Sequence, residues 1–214
     1  MVRVKFCGHS RAADVADSVG AGVDAIGVIA DVPVDTPREV DAATASELLA
    51  SVPPFVTGVL VTMPDTAGAA IDLVERVAPD ALQIHAGLDV EGLRQVEQAI
   101  PVPLIVGTEV DDRRVDAIAG IADAILLDSR DESGAGGTGR THDWNRAREL
   151  VQRLEAPVVL AGGLTPENVA DGIRQVGPYA VDVASGVEER GGVRDSRAVE
   201  RFVAAVDRAE AVEA

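Results

Sequence analysis

One cysteine, one lysine and very few aromatic side chains distinguish this chain of 214 residues. The lone cysteine, Cys7, rules out an internal disulfide. With only His9, His85 and His142 beside it, the spaced Cys/His pairs of a structural zinc site are missing too. No apolar run is long enough to span a membrane, which takes about 18 residues. The N-terminus begins on a strand-like pattern without a charged-then-apolar leader, so the expectation is a cytoplasmic protein that meets no membrane. Lys5 is the only lysine, and arginine supplies the other 18 of 19 basic residues. Set against 36 acidic residues they leave a formal net charge of −17. Such a field repels phosphate backbones and argues against a nucleic-acid partner.

The acidic residues are spread over the chain (Asp14, Asp17, Glu47, Asp72, Glu75, Glu91, Glu97, Glu149) rather than gathered in a tail, and they read as a solvated coat on helix faces. High acidity with almost no lysine resembles the cytosolic proteins of salt-accumulating halophilic archaea, in which screening relieves the self-repulsion of the compact state. The hydrophobic content of 47% is enough for a large core, and no linker or low-complexity stretch divides the chain. A single domain over residues 1–214 is expected.

Short runs rich in β-branched residues recur at 2–6, 25–29, 56–61, 81–84, 103–106, 124–127, 158–160 and 180–183. Each reads as a strand buried on both faces. Between them lie segments of helical spacing at 42–51, 67–77, 90–100, 144–154, 166–176 and 196–209. Asp65 or Thr66, and Asp89, are candidate caps, and Thr165-Pro166-Glu167-Asn168 predicts a cap followed by proline at the first helical position. Strand and helix alternating over the full length imply a parallel sheet, and eight units of this size fit a closed (β/α)8 barrel. The alternative is an open doubly wound sheet, but no Gly-x-Gly-x-x-Gly follows the first strand.

In such a barrel the C-terminal ends of all strands share one mouth, so the residues just past each strand are the functional candidates. Strand one ends at Cys7, whose thiolate can serve as base or nucleophile; ordinary burial as a small hydrophobe is the plainer alternative. Pro37-Arg38 follows strand two, His85 closes strand four and Asp128 closes strand six. Gly162 and Gly163 follow strand seven, and Ser185 and Gly186 follow strand eight. Small residues at these last two turns let backbone N–H groups approach an anion, as in the usual barrel phosphate site. The glycine-rich segment 129–141 reads as an active-site loop.

Taken in order, Lys5-Phe6-Cys7-Gly8, Pro37-Arg38, Gln83-Ile84-His85, Leu127-Asp128-Ser129 with Gly136-Gly137-Thr138-Gly139, Asp143-Trp144, Leu160-Ala161-Gly162-Gly163-Leu164 and Asp182-Val183-Ala184-Ser185-Gly186-Val187-Glu188 resemble phosphoribosylanthranilate isomerase of tryptophan biosynthesis. The likeness runs from first strand to last. It implies an Amadori rearrangement of N-(5'-phosphoribosyl)anthranilate without cofactor or metal, with Cys7 matching the family's general base and Asp128 its general acid. Arg38 matches the arginine that binds the anthranilate carboxylate, and Gly137 and Thr138 match a loop that closes over substrate. Where the family carries a phenylalanine-rich stretch after strand two, Val28-Ile29-Ala30 stands here, so aliphatic walls are expected around the aryl group. His85 is open between satisfying the core, positioning substrate and transferring a proton. Asp182 is expected to stabilise the barrel or tune its neighbours, since a carboxylate within a strand is costly to bury unpaired. Lys5, His9 and His85 are the candidates for keeping the thiol ionised.

The implied partner is a small phosphorylated substrate, and the chain is expected to be a monomer or a homodimer. Two alternatives remain beside this reading, a noncatalytic phosphate-binding barrel and the related aminoaldose-phosphate isomerases of histidine biosynthesis. The latter use two aspartates, against which Cys7 argues. Indoleglycerol phosphate synthase, which needs several active-site lysines, is excluded by the single Lys5.

Overall fold

In the computed structural model, which describes residues 1–128 and 141–211, eight parallel strands close into one barrel in sequence order. The strands are β1 (Arg3–Cys7), β2 (Ala25–Ile29), β3 (Thr57–Thr62), β4 (Ala81–Ile84), β5 (Leu104–Thr108), β6 (Ala124–Asp128), β7 (Val158–Ala161) and β8 (Ala180–Val183). Closure is made by β1 against β8, with Lys5 opposite Asp182 and Phe6 opposite Val183. The helices are α1 (Ala12–Gly20), α2 (Ala42–Ala50), α3 (Ala67–Val77), α4 (Val90–Ala99), α5 (Val115–Ala119), α6 (Thr141–Arg153), α7 (Val169–Val176) and α8 (Ser196–Ala211). After β8 the chain makes a short 3-10 turn, Ser185–Val187, and then an antiparallel hairpin of β9 (Glu188–Arg190) and β10 (Val193–Arg194).

Alternation along each strand divides the apolar residues into two cores. Val4, Phe6, Ile26, Leu60, Leu82 and Leu104 pack outward under the helices, where Phe6 meets Phe202 of α8 edge to face at 5.5 Å between ring centroids. Smaller side chains occupy the interior, including Val59, Val61 and Ala81 beside Cys7, and Val159, Ala161 and Ala180 around Leu126. At the N-terminal ends of the strands an Asp-Ala step recurs. The carboxylates of Asp24, Asp80 and Asp123 accept from the backbone N–H groups of Val4, Gly58 and Leu104 at 2.7, 2.8 and 2.8 Å. These bonds tie one strand to the approach of the next, on the face of the barrel that serves stability.

Thr66 and Asp89 cap α3 and α4 as expected, accepting from Ala69 and Gly92 at 3.2 and 2.8 Å. The helix expected to begin at Pro166 begins later, at Val169. Residues 165–168 instead form a turn, because the Asn168 carboxamide accepts from Thr165 N–H and donates to the Gly163 carbonyl at 2.8 and 2.9 Å. Among the described residues no helix is long and apolar enough to cross a membrane.

Candidate active site

The end of β1 makes a sharp turn, and glycines make it possible. Gly8 stands at φ +87°, and a Cβ there would lie 2.6 Å from Arg38 Cδ, so the bare backbone lets the arginine stem cross it. The N–H groups of Gly8 and His9 both donate to the Gly27 carbonyl, at 2.9 and 3.0 Å. Cys7 is thereby held at the rim with its side chain inward, 6% exposed. Opposite it in register is Gly27, where a Cβ would meet Cys7 Sγ at 3.1 Å and Lys5 Nζ at 3.2 Å.

A cavity of about 400 Å³ opens above this floor. Its walls contain Cys7, Arg38, His85, Asp128, Gly162, Gly163, Ser185 and Gly186, so the described candidates from six different strand ends meet in one place. Gly137 and Thr138 lie outside the described residues. Gly162 and Gly163 take φ of +86° and +63°, and Gly186 packs so closely that a Cβ would lie 1.9 Å from the Leu164 carbonyl oxygen. The turns after β7 and β8 thus lie against each other, with backbone where side chains would otherwise stand. The apolar walls are Ile29, Val32, Val34, Val61, Met63 and Leu126, aliphatic as expected.

A larger recess of about 730 Å³ adjoins it beyond β4 and β5, sharing Met63, His85 and Asp128. Its rim carries Asp89, Glu109, Asp111 and Asp112 against one arginine, Arg114. Coulomb repulsion disfavours an anionic ligand there, whereas the smaller cavity holds Arg38 and the glycine turns. His85 Nε2 stands 3.4 Å from Asp128 Oδ2 across the shared edge. Gln83 also lines the smaller cavity, and its Oε1 is buried without a hydrogen-bond partner among the described residues. Leaving such a group unsatisfied costs about 1–3 kcal/mol, which a hydroxyl or water donor would remove.

Arg38 is already engaged. Its Nε and Nη2 donate to the two carboxylate oxygens of Glu188 at 2.9 and 2.7 Å, a bidentate pair across 150 residues. Glu188 lies 3.7 Å from Arg194 Nη1 in turn, and Arg194 donates to the carbonyls of Ala184, at 2.7 Å, and Cys7. The β9–β10 hairpin therefore pins the backbone of both the β1 and β8 ends. Neither Glu188 nor Arg194 stands out in the sequence as a site residue by its own signal, because the short segment between β8 and the last helix also carries Glu189, Arg190 and Asp195 and nothing local marks these two among the five charges.

His9, next to the turn, is 1% exposed and is no acid or base of the cavity. Its ring meets Ser18 Oγ at 2.9 Å and the Gly27 carbonyl at 3.3 Å. Burial, assisted by the charge of Arg194, pushes it down from 6.5 to about 3. Between those values the unfolded chain binds a proton that the native state does not, so stability rises with pH across this window and is lost as pH falls through it. The expected slope from His9 is about 1.4 kcal/mol per pH unit, measured as unfolding free energy by denaturant titration, and His9→Asn should remove it.

A family model for N-(5'-phosphoribosyl)anthranilate isomerase matches residues 4–205. The N-(5'-phosphoribosyl)anthranilate isomerase of Halorubrum lacusprofundi, a halophilic archaeon, is 53% identical over 205 residues, covering 95% of this chain and 96% of its own. Among solved structures, the phosphoribosyl anthranilate isomerase of Thermotoga maritima superposes with a TM-score of 0.84 at 32% identity, covering 97% of this chain and all of that one. A second isomerase structure, in complex with reduced 1-(o-carboxyphenylamino)-1-deoxyribulose 5-phosphate, gives 0.81 at 30% identity with the same coverage.

Proposed function

This chain belongs to the N-(5'-phosphoribosyl)anthranilate isomerase family, and from that premise we propose that Cys7 and Asp128 are the base and acid of its Amadori rearrangement. The enzyme acts in tryptophan biosynthesis. The reaction opens the ribose ring of N-(5'-phosphoribosyl)anthranilate and moves the carbonyl from C1 to C2, giving 1-(2-carboxyphenylamino)-1-deoxyribulose 5-phosphate. The observation that carries the assignment is the single cavity in which a thiol, a carboxyl, an arginine and two backbone-lined turns converge.

Asp128 gives a proton to the ring oxygen as the C1–O bond breaks, leaving an iminium at C1. The iminium acidifies the C2 proton, which the Cys7 thiolate removes, and the resulting enolamine tautomerises to the ketone. Each proton transfer by a positioned group is worth about 10²- to 10⁴-fold. The phosphate lies against the turns at Gly162, Gly163, Ser185 and Gly186, which is the end of a barrel where backbone donors usually hold it. His85, 3.4 Å from Asp128, orients the acid.

Arg38 takes the anthranilate carboxylate. Glu188 uses two of the five guanidinium N–H groups, which leaves three donors and fixes the plane in which they lie. The reading describes a cytoplasmic enzyme of one or two copies acting on a small phosphorylated substrate. Its test is turnover of N-(5'-phosphoribosyl)anthranilate followed by fluorescence in molar salt. Arg38→Ala is expected to raise KM at least about tenfold with a smaller change in kcat; an unaltered KM would remove Arg38 from the substrate site.

A further inference from the structure

A thiol buried among aliphatic side chains is a poor base unless a cation supports its ionised form, and five residues near Cys7 can carry one: Lys5, His9, His85, and two arginines that are already engaged, Arg38 by Glu188 and Arg194 by the carbonyls of Ala184 and Cys7. His9 is ruled out by its own setting, since its ring is neutral at physiological pH and is held by Ser18 and the Gly27 carbonyl. His85 is engaged with Asp128 on the other side of the mouth. Lys5 remains. It stands two residues before Cys7 on the same inward face of β1, 5% exposed, and its Nζ donates to Asp182 Oδ1 at 2.8 Å.

We propose that Lys5 is the positioning cation of the general base: clamped by Asp182 beneath the rim, it supplies the ammonium against which the Cys7 sulfur carries its negative charge. The proposal rests on the reading of Cys7 as base and deepens it.

Three features of the interior support it. Gly27 leaves open the one point that both groups border, 3.1 Å from the sulfur and 3.2 Å from the ammonium, where a Cβ would wedge between them. The charge of the ammonium favours the ionised thiol, and its bond to Asp182 at 2.8 Å holds it in place on the inward face. Finally, a chain whose other basic residues are all arginine has its single lysine here, with a compact ammonium as the charge beside the sulfur. The charged groups facing the thiol are Lys5 from β1, Asp182 from β8, Arg194 from β10 and Arg38 from the loop after β2. Burial is the largest influence and, with Asp182 adding to it, leaves the thiol above its ordinary value; Lys5 and Arg194 oppose that push, so loss of Lys5 would raise it further. Burial likewise acts against the Lys5 ammonium, but Asp182 and Cys7 together lift it above its ordinary value, so it stays charged.

Because the chain has one cysteine, the rate of alkylation by iodoacetamide against pH reads the ionisation of Cys7 alone. Lys5→Met is expected to move the midpoint up by at least about one pH unit, lowering the alkylation rate about tenfold at a pH below both midpoints, with the ascending limb of kcat/KM moving equally. Lys5→Met leaves Asp182 buried and unpaired, so the double variant Lys5→Met with Asp182→Asn is measured beside it and is expected to show the same direction. Asp182→Asn alone, which leaves the sulfur as partner of the ammonium, is expected to move the midpoint down. A midpoint unmoved by loss of Lys5 in both backgrounds overturns the proposal, with Cys7 still the base if Cys7→Ser is inactive. Wild-type turnover in Cys7→Ser would instead overturn the base assignment, while the alkylation midpoint still reports on Lys5.

Discussion

Cys7→Ser is expected to lower kcat/KM for N-(5'-phosphoribosyl)anthranilate by at least about 100-fold while the barrel stays folded. The exchange is nearly isosteric, and the site is enclosed by Val59, Val61 and Ala81, which tolerate a hydroxyl of this size. What changes is basicity in the accessible form. A thiol beside an ammonium can ionise, whereas an alkyl hydroxyl at the same position stays protonated and has no neighbouring imidazole to relieve it, because His9 points to Ser18 and His85 to Asp128. A hundredfold loss corresponds to about 3 kcal/mol of transition-state stabilisation, and an unchanged rate in folded protein would refute the role.

The second large effect is on the acid. Asp128→Asn keeps the size of the side chain and its place at the end of β6, but an amide cannot deliver a proton to the ring oxygen. At least about 100-fold in kcat should be lost. Far-ultraviolet circular dichroism should be unaltered, because Asp128 lies at the rim with 18% of its side chain exposed and ends the strand rather than filling the interior. A purely structural role for Asp128 would give the opposite pattern, with lowered stability and near-normal turnover of the folded fraction.

Much of this arrangement is legible in the sequence because it depends on local signals. All eight strands come from short β-branched runs, and β2, β4 and β8 fall on the expected bounds. Two helices leave weaker traces. In α1 the buried positions include Asp14 and Ser18, which interrupt the apolar period, and α5 has five residues, too few for a 3.6-residue repeat to register. The rim is readable for the same topological reason in every unit, since parallel strands bring their C-terminal ends together whatever the helices do.

What the sequence does not disclose are the long-range charge pairs. Glu188 reaches back 150 residues to fix Arg38, and Asp182 reaches back 177 residues to fix Lys5. Both pairings follow from the β1–β8 closure and the hairpin behind it, and neither has a local signature. The resemblance therefore makes Arg38 a candidate carboxylate binder but does not show a side chain already held in plane by Glu188, and the sequence offers Lys5 as one candidate of three without its pairing to Asp182.

The most direct test of the central claim follows the proton itself. With substrate carrying deuterium at ribose C2, the wild-type enzyme is expected to release the label during turnover with a primary isotope effect on kcat, and Cys7→Ser, folded and in molar salt, to release it at least about 100-fold more slowly. Release of the label by Cys7→Ser at the wild-type rate would contradict the account.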